Sequence, residues 1–507
     1  MPMGTPRRAR RRNPWPSTPF TCGNGDYYSV GDLARLLRLD LCDALACVRA
    51  WASRGVLTLR SDVAPEGEDA DEELAALGKY QFTWVGLARW RRVLVCAYPK
   101  YYPRPSDEFP HPPEAELAQV FRVLRKSSGG LAGIGAALPD ADEDGGPLSL
   151  MLALLGSYEE NGVYTNYVRV IRDNGSGEIA WDRTIAQNQP FMDRDTPVYF
   201  DLKTRDTSRD AADLVTRLHR CVLTRCSADL RRWGVDELLE LAEVDLSGEE
   251  LEDLGEPETL THHLEQERSV QFVTWKQDVI DMLLRYLNPS EEYESPEEEF
   301  CLGTSSFYHA WELACKTAFG DRLADRIDSL GLPLAEDWRQ RGAETLLGII
   351  PRPEWTDAGG AGCGDVNTLI PDVIGIHGDG AGGRAFCIYD AKYYAPTLRP
   401  GTAKRVPGVE SVTKQVLYQS AYEGFIRDNG FSSVANVFLV PTHEAEARLM
   451  GGVRFPGVFG KPEPPLSDGV EMWALPADYV FDCYLAGRLA DEELIQRMCE
   501  GSLDGAH

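Results

Sequence analysis

Residues 371–422 read PDVIGIHGDGAGGRAFCIYDAKYYAPTLRPGTAKRVPGVESVTKQVLYQSAY, and they hold the clearest structural pattern of the chain. A short apolar strand follows Asp372, a Gly-rich turn covers 377–383, and a second apolar run leads to Asp390 and Lys392. If the two runs pair as a hairpin across the turn, Asp372 comes close to Asp390. Because side chains alternate along a strand, Asp390 and Lys392 share one face. The stretch therefore predicts two carboxylates and one ammonium group at one edge of a sheet.

These three side chains are suited to hydrolysis of a phosphodiester. Two adjacent carboxylates repel each other unless a cation lies between them. Mg²⁺ is usually held by one or two carboxylates and by phosphate oxygens of the substrate, and it polarises the phosphate and activates water. Lys392 can orient that water or offset charge that develops on phosphorus. The alternative interpretation of the same triplet is a plain hairpin with charged strand ends.

Asp372 followed by Asp390-x-Lys392 resembles the PD-(D/E)xK nuclease signature. The segment VTKQVLYQ, which contains Lys414 and Gln415, resembles the Lys/Gln helix that follows this signature in many such nucleases. More narrowly, DAKYY followed by TKQVLYQ is similar to the LlaJI-type restriction endonucleases, relatives of McrC. The resemblance implies that Lys414 and Gln415 face the site and that one of them steadies the phosphate.

A third carboxylate is expected from the helix that precedes the acidic strand. Phe307, Trp311 and Ala314 lie on one face of this helix, and Glu312 is beside them. The segment FYHAWE resembles the segment that supplies a further acid in the LlaJI and McrC type. The resemblance thus implies that Glu312 joins Asp372 and Asp390 as a metal ligand. A glutamate on the surface of a helix is the alternative.

The resemblance implies a mixed α/β fold with a C-terminal restriction-endonuclease-like PD-(D/E)xK core, preceded by a winged-helix-like and α+β region. It also implies a Mg²⁺-dependent endonuclease that cuts double-stranded DNA in a bacterial restriction or phage-defence system. The partners that it implies are an McrB-like AAA+ GTPase and, in the same system, a cognate methyltransferase. A Walker motif GxxxxGK[ST] does not occur in this chain, so the chain is not itself that motor.

Composition and pattern divide the 507 residues into several parts. We expect a disordered basic arm (1–22), a winged-helix-like module with a β-hairpin (23–110) and an α+β middle region with acidic helices (111–289). An acidic linker (290–299) and a nuclease domain (300–507) follow.

The N-terminal module is predicted from two short helices and a strand between residues 27 and 60. In a winged helix, the second of these helices would be the recognition helix. Arg49 and Arg54 lie on it and are candidate DNA contacts. A module that binds a partner, or that is purely structural, remains the alternative.

The net charge of −28 opposes the binding of phosphate. The acidic residues are clustered, however, and residues 384–427 hold seven Lys and Arg against three Asp and Glu. Within this stretch, Arg399, Lys404 and Arg405 are candidate contacts to DNA phosphates. A basic partner protein could supply further positive charge.

The remaining composition indicates an ordinary protein of the cytoplasm. Twelve cysteines are scattered without a CxxC pair, so we expect free thiols and no zinc finger. No apolar run approaches the length of a membrane span.

Two other functions fit the same sequence. In one, the chain is a catalytically inert subunit that binds DNA or assembles a complex. In the other, it is an RNA-directed nuclease, because the metal chemistry does not depend on the sugar.

Overall fold

The computed structural model describes residues 20–60, 78–103, 114–131, 133, 147–194, 196–210, 212–288, 299–360, 362, 367–455 and 462–500. The chain divides into two compact units. The first, which we call the site unit, combines Ser17–Ser128 with Cys301–His507, and the second, the middle unit, contains Gly129–Phe300. Helices and several sheets occur in both described parts, which confirms the mixed α/β class.

In chain order, the strands are β1 (Phe20–Gly23), β2 (Tyr27–Tyr28), β3 (Leu57–Arg60), β4 (Lys79–Phe82), β5 (Val85–Trp90), β6 (Val93–Tyr98), β7 (Tyr167–Asp173), β8 (Glu178–Ile179), β9 (Phe191–Asp193), β10 (Thr196–Val198), β11 (Lys203–Arg209), β12 (Glu299–Thr304), β13 (Val373–Gly378), β14 (Arg384–Ala391), β15 (Thr397–Arg399), β16 (Thr402–Lys404), β17 (Ser433–Thr442), β18 (Arg448–Val453) and β19 (Val470–Pro476).

In the same order, the helices are α1 (Val30–Leu37), α2 (Leu41–Ser53), α3 (Glu114–Ser127), α4 (Pro147–Asn161), α5 (Trp181–Gln187), α6 (Leu214–Arg232), α7 (Val235–Leu239), α8 (Leu251–Leu254), α9 (Pro257–Val270), α10 (Thr274–Leu287), α11 (Phe307–Ala318), α12 (Glu336–Gln340), α13 (Leu346–Ile349), α14 (Val409–Asp428), α15 (Ala477–Ala486) and α16 (Glu492–Cys499).

The site unit is built on a five-stranded sheet with the order β13-β14-β17-β19-β18. The three central strands β14, β17 and β19 are parallel, and an antiparallel strand lies at each edge. Strands β13 and β14 form the hairpin that the sequence predicts, with Val373 opposite Tyr389. Asp379 closes its turn by accepting the N–H groups of Ala381 and Gly383. The hairpin thus has the register that the sequence indicates.

Helices cover both faces of this sheet, because alternate residues of β14 are apolar on each side. On one face, Phe386 packs on Tyr422 of α14, with ring centroids 5.0 Å apart. On the other face, Tyr389 packs on Phe319, which follows α11. The indole N–H of Trp311 in α11 donates to the Leu439 carbonyl of β17 at 3.2 Å. This contact fixes α11 against the centre of the sheet.

A second sheet has the order β1-β6-β5-β12 and joins distant parts of the sequence. Strand β12 leads directly into α11, so this sheet sets where α11 begins. Beside it, the small sheet β2-β4-β3 packs with α1 and α2 around Trp51, Phe82 and Trp84.

Two predicted segments lie largely outside the described residues. Strand β1 overlaps the last three residues of the predicted arm 1–22, and residues 1–19 lie outside the described part. The predicted linker 290–299 also lies outside it, except for Glu299, which begins β12. The division of the chain into five parts stays a prediction, while contacts group 17–128 with 301–507.

The middle unit contains a sheet of order β7-β11-β8, the hairpin β9–β10 and helices α4 to α10. Its core includes His219 of α6, which accepts the Tyr164 N–H at 2.9 Å. Burial lowers the pKa of this histidine to about 4, so His219 is neutral at physiological pH. Among the described residues of the whole chain, none of the helices is both long and apolar enough to span a membrane.

Candidate active site

The end of the β13–β14 hairpin brings together the first three predicted residues. Asp372 lies just before β13, and its carboxylate accepts the N–H of Ala391 at 2.9 Å. The Nζ atom of Lys392 is 2.8 Å from Oδ1 of Asp390. Asp390 is only 5% exposed, so this ion pair is largely shielded from water. The predicted juxtaposition of two acids and one lysine is therefore present in the structure.

Asp390 lies close enough to Asp372 to disfavour ionisation of the Asp372 carboxyl group. Burial, the neighbouring Asp390 and the more distant Glu312 hold the pKa of Asp372 well above its usual range. A bound divalent cation would favour the charged form of Asp372 and offset the repulsion between the two carboxylates. The pair thus has the donor chemistry of a site for a hard cation.

Glu312 lies on α11 and interacts electrostatically with Asp372. Its carboxylate accepts a hydrogen bond from Nζ of Lys316, one helical turn later, at 2.7 Å. Across the described ranges, no three His, Cys, Asp or Glu side chains are gathered closely enough to hold a metal ion. Glu312 therefore interacts with Asp372 but is paired with Lys316, and it is not gathered with the two aspartates.

The two predicted residues of α14 have different environments. Lys414 pairs with Glu410 at 2.6 Å, and Glu410, together with the more distant Asp390 and Asp372, raises the pKa of this lysine. Gln415 is fully buried, and its side-chain amide has no hydrogen-bond partner within the described part of the chain. A buried amide without hydrogen-bond partners destabilises the folded protein unless water or a ligand forms hydrogen bonds with it.

Two observations indicate that these side chains are suited to binding Mg²⁺. The first is the pair of adjacent carboxylates, Asp372 and Asp390, and the second is the unsatisfied amide of Gln415. The two carboxylates are hard oxygen ligands of the kind that Mg²⁺ prefers, and the Gln415 amide is a buried neutral hydrogen-bonding group on α14.

Three of the predicted DNA contacts lie on one hairpin. The sequence predicts an irregular loop at residues 396–407, but Thr397–Arg399 and Thr402–Lys404 pair as β15 and β16. Arg399, Lys404 and Arg405 are exposed on or next to this hairpin.

The two predicted contacts of the N-terminal module lie on or directly after α2. Arg49 is exposed on this helix, whereas Arg54 follows it and is partly buried. Of these two candidate DNA contacts, only Arg49 is therefore fully accessible to a ligand.

Sequence reasoning missed three residues near the site. Lys316 could have been found from its spacing of four residues after Glu312, which is typical of a helical ion pair. Lys100 and Tyr308 line a cleft that also contains Lys392. No local pattern marks these two residues, because the cleft forms only when distant segments fold together.

Comparison with known proteins identifies the family. The family model described as "LlaJI restriction endonuclease" matches residues 84–458, which is most of the chain. The chain belongs to the LlaJI restriction endonuclease family. A curated relative is the type II restriction enzyme BsuMI component YdjA of Bacillus subtilis (strain 168). It is 24% identical over 424 residues, which cover 81% of this chain and 82% of the relative.

The LlaJI match includes every residue described above at the hairpin and on α11 and α14. It also includes Lys100, which is far from them in sequence. It excludes the segment with Arg49 and Arg54. Membership of a restriction endonuclease family agrees with a nuclease in a restriction system, and the relative is described as one component of such an enzyme.

Proposed function

We propose that this chain is the Mg²⁺-dependent nuclease subunit of a bacterial restriction or phage-defence system and that it cuts double-stranded DNA. The observation that carries the proposal is the contact of Asp372, Asp390 and Lys392 at the end of one hairpin. The mixed sheet, with α11 before it and α14 after β14, supports a PD-(D/E)xK core over residues 300–507. Family membership supports the same chemistry.

In this proposal, Asp372 and Asp390 hold the cation, and Glu312 completes the acidic set if it leaves Lys316. When bound, Mg²⁺ polarises the scissile phosphate and offsets its charge. Lys392, beside Asp390, donates a hydrogen bond to the attacking water or to the phosphate oxygen that gains charge. The free amide of Gln415 holds a water or a phosphate oxygen, and Lys414 adds positive charge at the start of α14.

The sheet order β2-β4-β3 next to α1 and α2 supports a winged-helix-like module in the N-terminal region. Arg49 is the exposed cation of its second helix and is the stronger candidate for a DNA contact. Arg399, Lys404 and Arg405 are proposed to contact phosphates from the β15–β16 hairpin.

The test of this function is a cleavage assay with plasmid DNA, in Mg²⁺ and in EDTA, with and without the ATPase subunit of the same system and GTP or ATP. We expect cleavage only with Mg²⁺. We also expect that Asp390→Asn reduces the rate by roughly a hundredfold or more, because one negative ligand is lost.

The assay also decides between the alternatives. An Asp390→Asn protein that cuts at the parental rate contradicts the proposal. If the parental chain never cuts but still forms its complex with DNA, the chain is an inert assembly subunit. Faster digestion of RNA than of DNA in parallel reactions would identify an RNA-directed nuclease.

An exposed apolar patch on the middle unit supports the proposed McrB-like partner. The patch consists of Trp181, Ile185, Phe191, Met192 and Phe200, all of which are more than half exposed. The rings of Phe191 and Phe200 touch each other at a centroid distance of 5.9 Å. Exposed apolar side chains that touch each other, as these two rings do, are typical of a surface that binds another protein.

We expect Phe200→Asp to weaken binding of the AAA+ subunit by roughly tenfold or more, because a charge enters an apolar contact. Titration calorimetry with the purified subunit measures this. Phe272→Asp is the matched control, since Phe272 is an exposed phenylalanine of the same unit outside the patch. Equal weakening by both substitutions would contradict the assignment of the patch.

A further inference from the structure

A large cleft of the site unit is lined in part by Lys392, the lysine that contacts Asp390. Its volume is about 1170 Å³. One wall comes from the N-terminal strands and the turn after β6, and another comes from α11, β14 and the β15–β16 hairpin. This volume exceeds the roughly 300–1,000 Å³ of pockets that enclose one small ligand. The cleft therefore has room for a segment of a polymer.

The charge of the cleft is opposite to that of the whole chain. Its lining contains five Lys and Arg side chains and two acidic ones, in a protein with a net charge of −28. The cations are Arg60, Lys100, Lys392, Arg405 and Arg448. Arg448 is paired with Glu444, one of the two acids. Such a local excess of cations attracts a polyanion.

Lys100 and Arg405 are two neighbouring cations of the cleft. They interact repulsively with each other, and neither forms an ion pair with a residue in the described ranges. Burial, and to a smaller extent the positive charge of Arg405, lowers the pKa of Lys100 to about 8. Its Nζ atom lies 4.2 Å above the ring of Tyr393, and its backbone N–H donates to the Tyr393 hydroxyl at 3.0 Å. Lys100 is thus held in place without a counter-charge.

Aromatic rings lie beside these cations. Tyr308 is 51% exposed and Tyr394 is 37% exposed, although both line the cleft. Tyr308 stands on α11 four residues before Glu312, so the two side chains share one face of the helix. Tyr394 follows Lys392 by two residues, and Lys100 lies 5.5 Å from its ring. Exposed rings next to cations are the pattern of single-stranded nucleic acid sites.

We propose that this cleft binds one strand of the substrate DNA, separated from its complement, beside the cleavage site. Lys100 and Arg405 contact its phosphate oxygens, and Tyr308 and Tyr394 stack on its bases. The inference rests on the proposed nuclease function and adds to it a strand-binding surface that includes the N-terminal segment. A flexible acidic peptide would satisfy the cations but would leave the exposed tyrosine rings without a stacking partner.

The test measures binding of a fluorescein-labelled 20-nucleotide single strand by anisotropy, in EDTA so that no cleavage occurs. We expect Lys100→Met to weaken binding roughly ten- to hundredfold, because a charged hydrogen bond is lost. The slope of log affinity against log salt should also become shallower by about 0.7, the value for one contact to a single strand. Tyr394→Ala should weaken binding by roughly five- to hundredfold and leave the slope unchanged.

Two control variants separate a local effect from damage to the fold. Lys100→Arg should restore the salt slope, because the charge returns. Lys276→Met removes a lysine that lies 4.9 Å above Tyr164 in the middle unit, a similar contact outside the cleft, and should leave DNA affinity unchanged. Thermal unfolding of each variant shows whether it is folded.

Three outcomes would overturn the inference. In the first, Lys100→Met and Tyr394→Ala both bind the strand with parental affinity. In the second, the parental protein does not bind the strand at low salt, and in the third, polyglutamate displaces the strand as effectively as unlabelled DNA does. Because binding is measured without metal, these outcomes are independent of whether the protein cuts. A parental chain that binds but never cuts would instead contradict the nuclease function.

Discussion

Replacing Lys392 by methionine should reduce the rate of DNA cleavage by roughly a hundred- to ten-thousandfold, the usual effect of losing one well-placed donor or acid–base group. Methionine keeps most of the length of the side chain and removes only the ammonium. That ammonium is 2.8 Å from Asp390 and also lines the cleft, so it links the acidic pair to the cleft in which we propose that the substrate strand lies. Single-turnover cleavage with Mg²⁺ and excess protein measures the chemical step without the influence of product release.

Lys126→Met is the matched control for this substitution. Lys126 also makes a close contact with a nearby group, since it donates to the Tyr484 carbonyl at 2.6 Å, but it is not in the cleft lining. We expect parental cleavage from this control. If Lys392→Met cut at the parental rate, Lys392 would be only a structural partner of Asp390, and the proposed mechanism would fail.

The part of the site predicted from the sequence is the part that depends on local geometry. Two apolar runs around a Gly-rich turn have only one hairpin register that buries both apolar faces, so the position of Asp372 beside Asp390 follows from the sequence. The helical spacing of Phe307 and Trp311 likewise gives the buried face of α11 and leaves Glu312 beside it. The mixed α/β class follows from the same alternation of strands and helices.

The part that could not be predicted depends on contacts between distant segments. Strand β12 pairs with β5, more than 200 residues earlier, and neither strand carries a signal that selects the other. The cleft around Lys100 depends on this pairing of distant segments, so no local pattern predicts it either. The β15–β16 hairpin is a different case, because Pro400-Gly401 is a recognisable turn signal that the interpretation as a loop overlooked.

Gly86→Ala should destabilise the site unit by about 2–6 kcal/mol, when backbone strain and steric overlap are combined. Gly86 has φ +143°, a conformation that residues with a side chain rarely adopt. A Cβ atom there would lie 2.1 Å from the Leu302 carbonyl oxygen and 2.6 Å from Cα of Gly303. Both are backbone atoms of β12, so the strands must separate.

The consequence for function follows from the position of β12. Because β12 leads into α11, a displaced strand shifts the helix that carries Tyr308 and Glu312, and we expect cleavage to fall together with stability. Urea unfolding of the purified protein measures the change in free energy. Gly424→Ala is the control, because it should change stability in the opposite direction. Gly424 lies inside α14, and a Cβ atom there would be 3.9 Å from Trp338. Alanine at this position should therefore stabilise the protein by about 0.5–1 kcal/mol. If Gly86→Ala were as stable as the parental protein, the close approach of β5 and β12 would not exist in solution, and the cleft would lose one of its walls.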